Sequence, residues 1–266
     1  MTARRTALIT GASAGIGSAL AKVFAERNFD LVLVARRRER LEALADRLRT
    51  EQGATVEALV EDLKDPAAPR RLFDTLDQQG VTVDALVNNA GFAVGGRFRD
   101  APWQRQADCL QVLVTSVVEL THLFEPGMVA RGYGRILNVA SVAGLLPGSA
   151  GSTLYTPAKA FMIKFSEALA AEHRDDNVHV TALCPGYTLT EFHDVLGNRE
   201  RMDRMPGFLW LDAEVVARQG VDAVLAGRVV VVNGSVYKGV AALAKLLPGA
   251  AARALLGRHS RGTKGH

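Results

Sequence analysis

The chain has 266 residues, of which 48% are hydrophobic and 23% charged, an ordinary globular composition with enough length to bury one large core. The net charge is +4, yet the seven Lys or Arg from Arg228 onward meet no Asp or Glu. The other 25 basic residues face 28 acidic ones, leaving residues 1–227 at −3, so the basic character belongs to the tail. No run of about 18 apolar residues escapes interruption by Lys, Arg, Pro or Gly, which argues against a spanning helix. Aromatics at 6% and the lack of a recognition motif argue against a nucleic-acid partner.

The start, MTARRTALITGAS, passes from a short basic lead into a strand and lacks the apolar stretch and cleavage site of a signal peptide, giving a cytoplasmic expectation. Cys109 and Cys184 lie far apart without a CxxC partner. They fit a reducing compartment and supply no metal site.

Strand-like runs TALIT, DLVLVA, TVEALV, DALVNN, RILNVAS, VHVTALC and RVVVVN alternate with helix-length segments. Their β-branched character without polar alternation predicts a doubly wound α/β fold, a Rossmann-like parallel sheet covered on both faces. Leu41, Leu44 and Leu48, and then Phe161, Phe165 and Leu169, recur at helical spacing and predict core-facing stripes. The division expected is one catalytic domain over 1–234, with 187–212 as a Gly- and Pro-interrupted substrate lid, and a C-terminal extension over 235–266.

The first strand ends in Gly11-Ala-Ser13-Ala-Gly15-Ile16-Gly17 and leads into a helix. Glycines there let backbone approach a pyrophosphate, and the helix N-terminus offers free N–H groups and a positive dipole end. The second strand ends at Ala35 and Arg36, where an acid would bond a ribose 2′-OH and Arg accommodates a 2′-phosphate. NADP(H) is therefore expected over NAD. Asp62 and Leu63, closing the third strand, are placed to meet the adenine ring, and Asn89, Ala90 and Gly91, closing the fourth, to line the cofactor.

Tyr155 and Lys159 are four apart, so on a helix they share one face. Pro157 between them suits a first helical turn, where its missing N–H costs no bond. An ammonium beside a phenol favours phenolate, which predicts a lowered Tyr155 pKa and a proton-transfer pair.

TGASAGIG at 10–17, NNAG at 88–91, Ser141 in NVASVAG, YTPAK at 155–159 and PGYTLT at 185–190 occur together in one order. In this the chain resembles the short-chain dehydrogenase/reductase family over about residues 5–192. The resemblance implies that Ser141 polarises a substrate carbonyl or hydroxyl and that Tyr155 is the acid/base. Lys159 would bind the nicotinamide ribose, Tyr155 would also contact the cofactor, and Pro185, Gly186 and Thr188 would hold the nicotinamide end. It also implies homo-oligomers, with the helices at 103–131 and 153–173 as interface. One position departs: where the family places an Asn, 28 residues before the serine, stands Leu113. Its side chain cannot hold the water of the proton relay, although its backbone carbonyl can if the helix is locally distorted.

An NADP-dependent carbonyl reductase or alcohol dehydrogenase is thus expected. The apolar GLLPG (144–148) and PGFLWL (206–211) suggest a hydrophobic small-molecule substrate of lipid, acyl or steroid-like character. The alternative is a cofactor-binding scaffold or sensor with weak turnover, for which Leu113 is the argument. In the tail, Val236, Val240, Leu243 and Leu247 fall on one helical face, with Lys238 and Lys245 off it. That face is read as packing on the domain or a second subunit, with peripheral contact to an anionic membrane as the sharper expectation.

Overall fold

A computed structural model describes residues 4–148, 150–190 and 206–246. Seven parallel strands, β1 (Arg5–Thr10), β2 (Phe29–Ala35), β3 (Val56–Val60), β4 (Ala85–Asn88), β5 (Gly134–Val139), β6 (Val178–Cys184) and β7 (Val230–Val232), form one sheet in the order β3-β2-β1-β4-β5-β6-β7. The order reverses between β1 and β4, and their carboxyl ends open the crevice in which such folds take ligands. The predicted doubly wound fold is what forms. Each of the seven strand-like runs in the sequence supplies one strand.

Helices α1 (Gly15–Glu26), α2 (Arg38–Gln52) and α7 (Ala213–Leu225) cover one face, and α3 (Ala68–Gln78) and α5 (Ser116–Ala130) the other, with α6 (Tyr155–Glu172) against β5 and β6. Leu20, Phe24, Leu41, Leu48 and Val221 fill the first core layer; Leu72, Leu76, Leu120, Phe124 and Met128 fill the second. Caps follow local chemistry. Asp212 accepts from the amides of Glu214 at 2.8 Å and Val215 at 3.1 Å to start α7, and Gly53, at φ +58°, ends α2 in the left-handed region.

The segment Trp103–Ala130 runs as α4 (Trp103–Leu110), a π-turn (Gln111–Thr115) and α5. By length and composition it matches a membrane span, with a mean hydropathy of 1.3, but Leu113, Val117, Leu120 and Phe124 spend that apolarity on the core.

Two predicted stripes turn out differently. On α6 the buried side chains are Ala158, Lys159, Met162, Ile163 and Ser166, whereas Phe161 is 40% exposed and stacks on Phe165 at 5.8 Å. Phe165 and Leu169 of the predicted stripe still pack, partly buried, against the core, so it is Phe161 that turns outward. On α8 (Ser235–Leu246), Tyr237 and Ala241 face inward, while Val236 and Leu243 of the predicted stripe face outward at 40% and 48% exposure. An apolar helix with two stripes buries whichever carries the better-fitting anchor, here an aromatic ring. Leu247 lies outside the described residues, as do 191–205 within the predicted lid and 247–266 of the predicted extension.

Candidate active site

At the carboxyl end of β1, Gly11 adopts φ +68° and Gly15 φ +57°. A Cβ on Gly11 would lie 2.8 Å from the Ala90 Cα, and one on Gly17 2.3 Å from the Gly11 carbonyl. The loop is therefore compressed against the next strand end and leaves bare backbone facing the crevice. Thr10 organises it from beneath: its hydroxyl donates to Val87 O at 3.1 Å and accepts from the amides of Asn89 at 3.0 Å and Ala90 at 3.1 Å. Asn89 donates from Nδ2 to the carbonyls of Thr10 (2.9 Å) and Gly11 (3.2 Å), bracing the cradle. Ile16 packs into the core behind the loop, and Thr190 rests against Gly15, where a Cβ would meet its Cγ2 at 2.9 Å.

Arg36 and Arg37 follow β2 at the same edge. The Arg36 side chain is 63% exposed and makes a loose contact with Asp62 at 3.9 Å. Arg37 donates to the Ser13 hydroxyl at 3.2 Å, which places a second cation at the cradle. Leu63 is buried beside Asp62, and its carbonyl accepts from Ser116 Oγ at 3.1 Å.

Ser141 caps the turn after β5, its Oγ accepting from the Ala143 amide at 3.1 Å. Gly144 lets this turn lie directly on α6: a Cβ there would come within 2.6 Å of the Lys159 carbonyl carbon. That approach brings Ser141 into hydrogen-bond contact with Tyr155, the first residue of α6. Pro157 falls in the first turn, as its missing donor requires. A buried amide network fixes the helix from below: Asn88 donates to Asn138 Oδ1 at 2.9 Å, and Asn138 to Ser166 Oγ at 2.9 Å, tying β4, β5 and α6 together. At the end of β6, the Pro185 carbonyl accepts from Val142 N at 3.0 Å, and Thr188 Oγ1 donates to the Gly186 carbonyl at 3.1 Å.

The electrostatics correct one expectation. Burial pushes the Tyr155 pKa up to about 12, with the Ser141 hydrogen bond pulling back and Cys109 and Tyr187 adding to the rise. Lys159 does not lower it. Its Nζ is 5.6 Å from the Tyr155 ring centroid and donates to the Val139 carbonyl at 2.6 Å, and burial draws its own pKa down to about 8. Desolvation penalises the charged form of each group and is the largest cause of both shifts.

Leu113 is fully buried with Cys109, Ala158, Phe92 and Tyr155. A Cβ on Gly91 would lie 2.8 Å from its Cδ2 and 3.9 Å from Lys159 Nζ, so leucine and lysine meet at Gly91. The helix is distorted here: the π-turn spans Gln111–Thr115 and closes with Ser116 N donating to Gln111 O. Ser116 Oγ is spent on Leu63 O, and Gln111 Nε2 donates to Ser116 Oγ at 3.2 Å.

A family model described as short chain dehydrogenase matches residues 5–201. The chain belongs to the short-chain dehydrogenase/reductase family. It is 35% identical over 186 residues to oxidoreductase UcpA of Escherichia coli K12, covering 70% of each chain, and 37% identical over 194 residues to a probable NADP-dependent dehydrogenase of Haemophilus influenzae, covering 71% of this chain and 74% of the relative. A solved short-chain dehydrogenase from Sphingobium yanoikuyae in complex with NADPH superposes with a TM-score of 0.79 at 32% identity, covering 98% of this chain and 96% of its own. The protein is an oxidoreductase of the short-chain dehydrogenase/reductase type, with NADP-dependent relatives. Its cradle, with Gly11, Gly15 and Gly17 at the switch point, fits a dinucleotide.

Proposed function

We propose that the protein is an NADP(H)-dependent reductase or dehydrogenase acting on a hydrophobic carbonyl/alcohol pair. The observation that carries this reading is the convergence of Ser141, Tyr155 and Lys159 beside the glycine cradle. Gly11, Gly15 and Gly17 would hold the pyrophosphate, Asp62, Leu63 and Ala90 the adenine side, and Pro185, Gly186 and Thr188 the nicotinamide end. When bound, the cofactor supplies the hydride. Ser141 and Tyr155 would hydrogen-bond the substrate oxygen, and Tyr155, protonated at neutral pH, would donate to it during reduction. In the oxidative direction Tyr155 must first lose that proton. Lys159 would hold the nicotinamide ribose. Arg36, exposed at the cradle edge, and Arg37 on Ser13 support the 2′-phosphate preference.

The apolar surface of Tyr187, Leu189 and Phe208, 40%, 53% and 71% exposed, supports a hydrophobic substrate. Testing turnover of apolar ketones against polar sugars with NADPH decides that point; faster turnover of sugars overturns it.

The π-turn at Leu113 supports turnover over the scaffold alternative, because a local distortion of this kind interrupts the regular helical ladder and is what a relay through a backbone carbonyl would need. Leu113→Asn is expected to leave kcat within about threefold of the parent and to lower stability by about 1–3 kcal/mol, since a buried amide arrives without partners. Steady-state kinetics and thermal melts check both. A tenfold gain in kcat would show that the native chain is kinetically crippled.

Peripheral contact with an anionic membrane is a second reading, favoured by the outward face of α8, where Leu243 and Leu246 are 48% and 82% exposed beside the acid-free basic tail. Leu243→Glu with Leu246→Glu is expected to cut partitioning onto phosphatidylserine vesicles at least about tenfold, given about 1.5–3 kcal/mol per buried side chain. Failure of the parent protein to sediment with such vesicles overturns the reading.

A further inference from the structure

Tyr237 lies 50 residues beyond Tyr187 of the PGYTLT motif and belongs to none of the family motifs, yet it is 7% exposed and occupies the joint between two segments bordering the site. Its Oη donates to the Leu209 carbonyl at 2.7 Å and accepts from the Tyr187 amide at 3.2 Å. Its ring lies against Gly186, where a Cβ would meet Cε2 at 2.1 Å. Only glycine fits beneath it.

The two segments also pair with each other: Leu211 N donates to Tyr187 O at 2.8 Å and Leu189 N to Leu211 O at 3.0 Å. Tyr187 faces Trp210 at 6.1 Å and Tyr237 at 6.4 Å between ring centroids. Gly234, at φ +81°, turns the chain into α8 and lies against Leu211, where a Cβ would meet Cδ2 at 2.9 Å. Burial raises the Tyr237 pKa, so the phenol keeps the proton it donates.

We infer that Tyr237 is a positioning residue for the cofactor: through one phenol, helix α8 fixes the backbone of Pro185–Thr188 and thereby the nicotinamide end of the site. The inference rests on the proposed reading of Pro185, Gly186 and Thr188 as nicotinamide contacts. It also gives the C-terminal helix a functional task, since whatever displaces α8 releases the loop that holds the reacting ring.

The discriminating probe is half of the cofactor. Adenosine 2′,5′-bisphosphate carries the adenine and 2′-phosphate but does not reach the nicotinamide loop, so it should be blind to Tyr237. Tyr237→Phe keeps the ring on Gly186 and removes the hydroxyl alone. By calorimetry the variant is expected to bind NADPH about tenfold more weakly than the parent while binding the bisphosphate equally well. Equal NADPH affinity in variant and parent overturns the inference. So does a parallel loss for both ligands, which would mark a general structural role. If the parent binds neither ligand, the cofactor reading itself falls and the inference with it. A measurement on the parent alone keeps the idea testable should the variant not fold. In hydrogen exchange, protection of 185–190 and of 235–242 is expected to rise together on adding NADPH and to stay unchanged with the bisphosphate; independent responses of the two segments overturn the coupling.

Discussion

Tyr155→Phe is expected to lower kcat by about 10²–10⁴-fold while changing NADPH affinity far less, because it removes one proton donor and keeps the ring that packs with Leu113 and Ala158. The direction of the pKa shift makes the reaction asymmetric. With the phenol held up at about 12, reduction finds Tyr155 in the required protonated form throughout the neutral range. Oxidation needs the phenolate, so its kcat/KM should climb about tenfold per pH unit through neutrality. Pre-steady-state measurement of both directions against pH checks this. A flat oxidative profile would mean that another base takes the proton.

Replacing Arg36 by Asp together with Arg37 by Ser is expected to weaken NADPH binding about 10²–10⁴-fold and to improve NADH binding. Two hydrogen bonds from charged donors contribute about 1.5–3 kcal/mol each, and an acid at the end of β2 is what a free ribose 2′-OH selects. Arg36 is well suited to the role because its contact with Asp62 is long and solvent-screened, so a phosphate need not displace a strong ion pair. Arg37 is different, since it must stay on Ser13 or exchange that hydroxyl for phosphate. Comparing the two single variants by competition between NADPH and NADH separates these contributions; unaltered cofactor preference in the double variant would remove the electrostatic account.

Much of this architecture is legible in the sequence alone. Seven β-branched runs named seven strands, because a parallel sheet buried on both faces leaves no polar alternation to confuse the reading. The glycine turn and the Tyr155–Lys159 pair each lie within one short segment and can be singled out from spacing, whereas Ser141 is singled out only through the family resemblance. What spacing could not reveal is contact between distant segments. Asn88 meets Asn138 across 50 residues, and Tyr237 covers Gly186 at a similar remove. The outward Phe161 was misread because helical periodicity identifies an apolar stripe but not which stripe the sheet will choose. The Tyr155 shift was misread for a related reason: sequence places two charges near each other but says nothing about how dry their surroundings are. Leu113 lies between these cases. The departure from the family pattern was visible, while the π-turn that gives it meaning is a property of the folded helix.

The most direct test is a calorimetric titration of the purified protein with NADPH and, separately, with NADH, because neither requires knowledge of the substrate. The account predicts NADPH binding at least about tenfold tighter than NADH, as a single charge-assisted contact to a 2′-phosphate would give. Binding of neither nucleotide would contradict it, and so would equal binding of both.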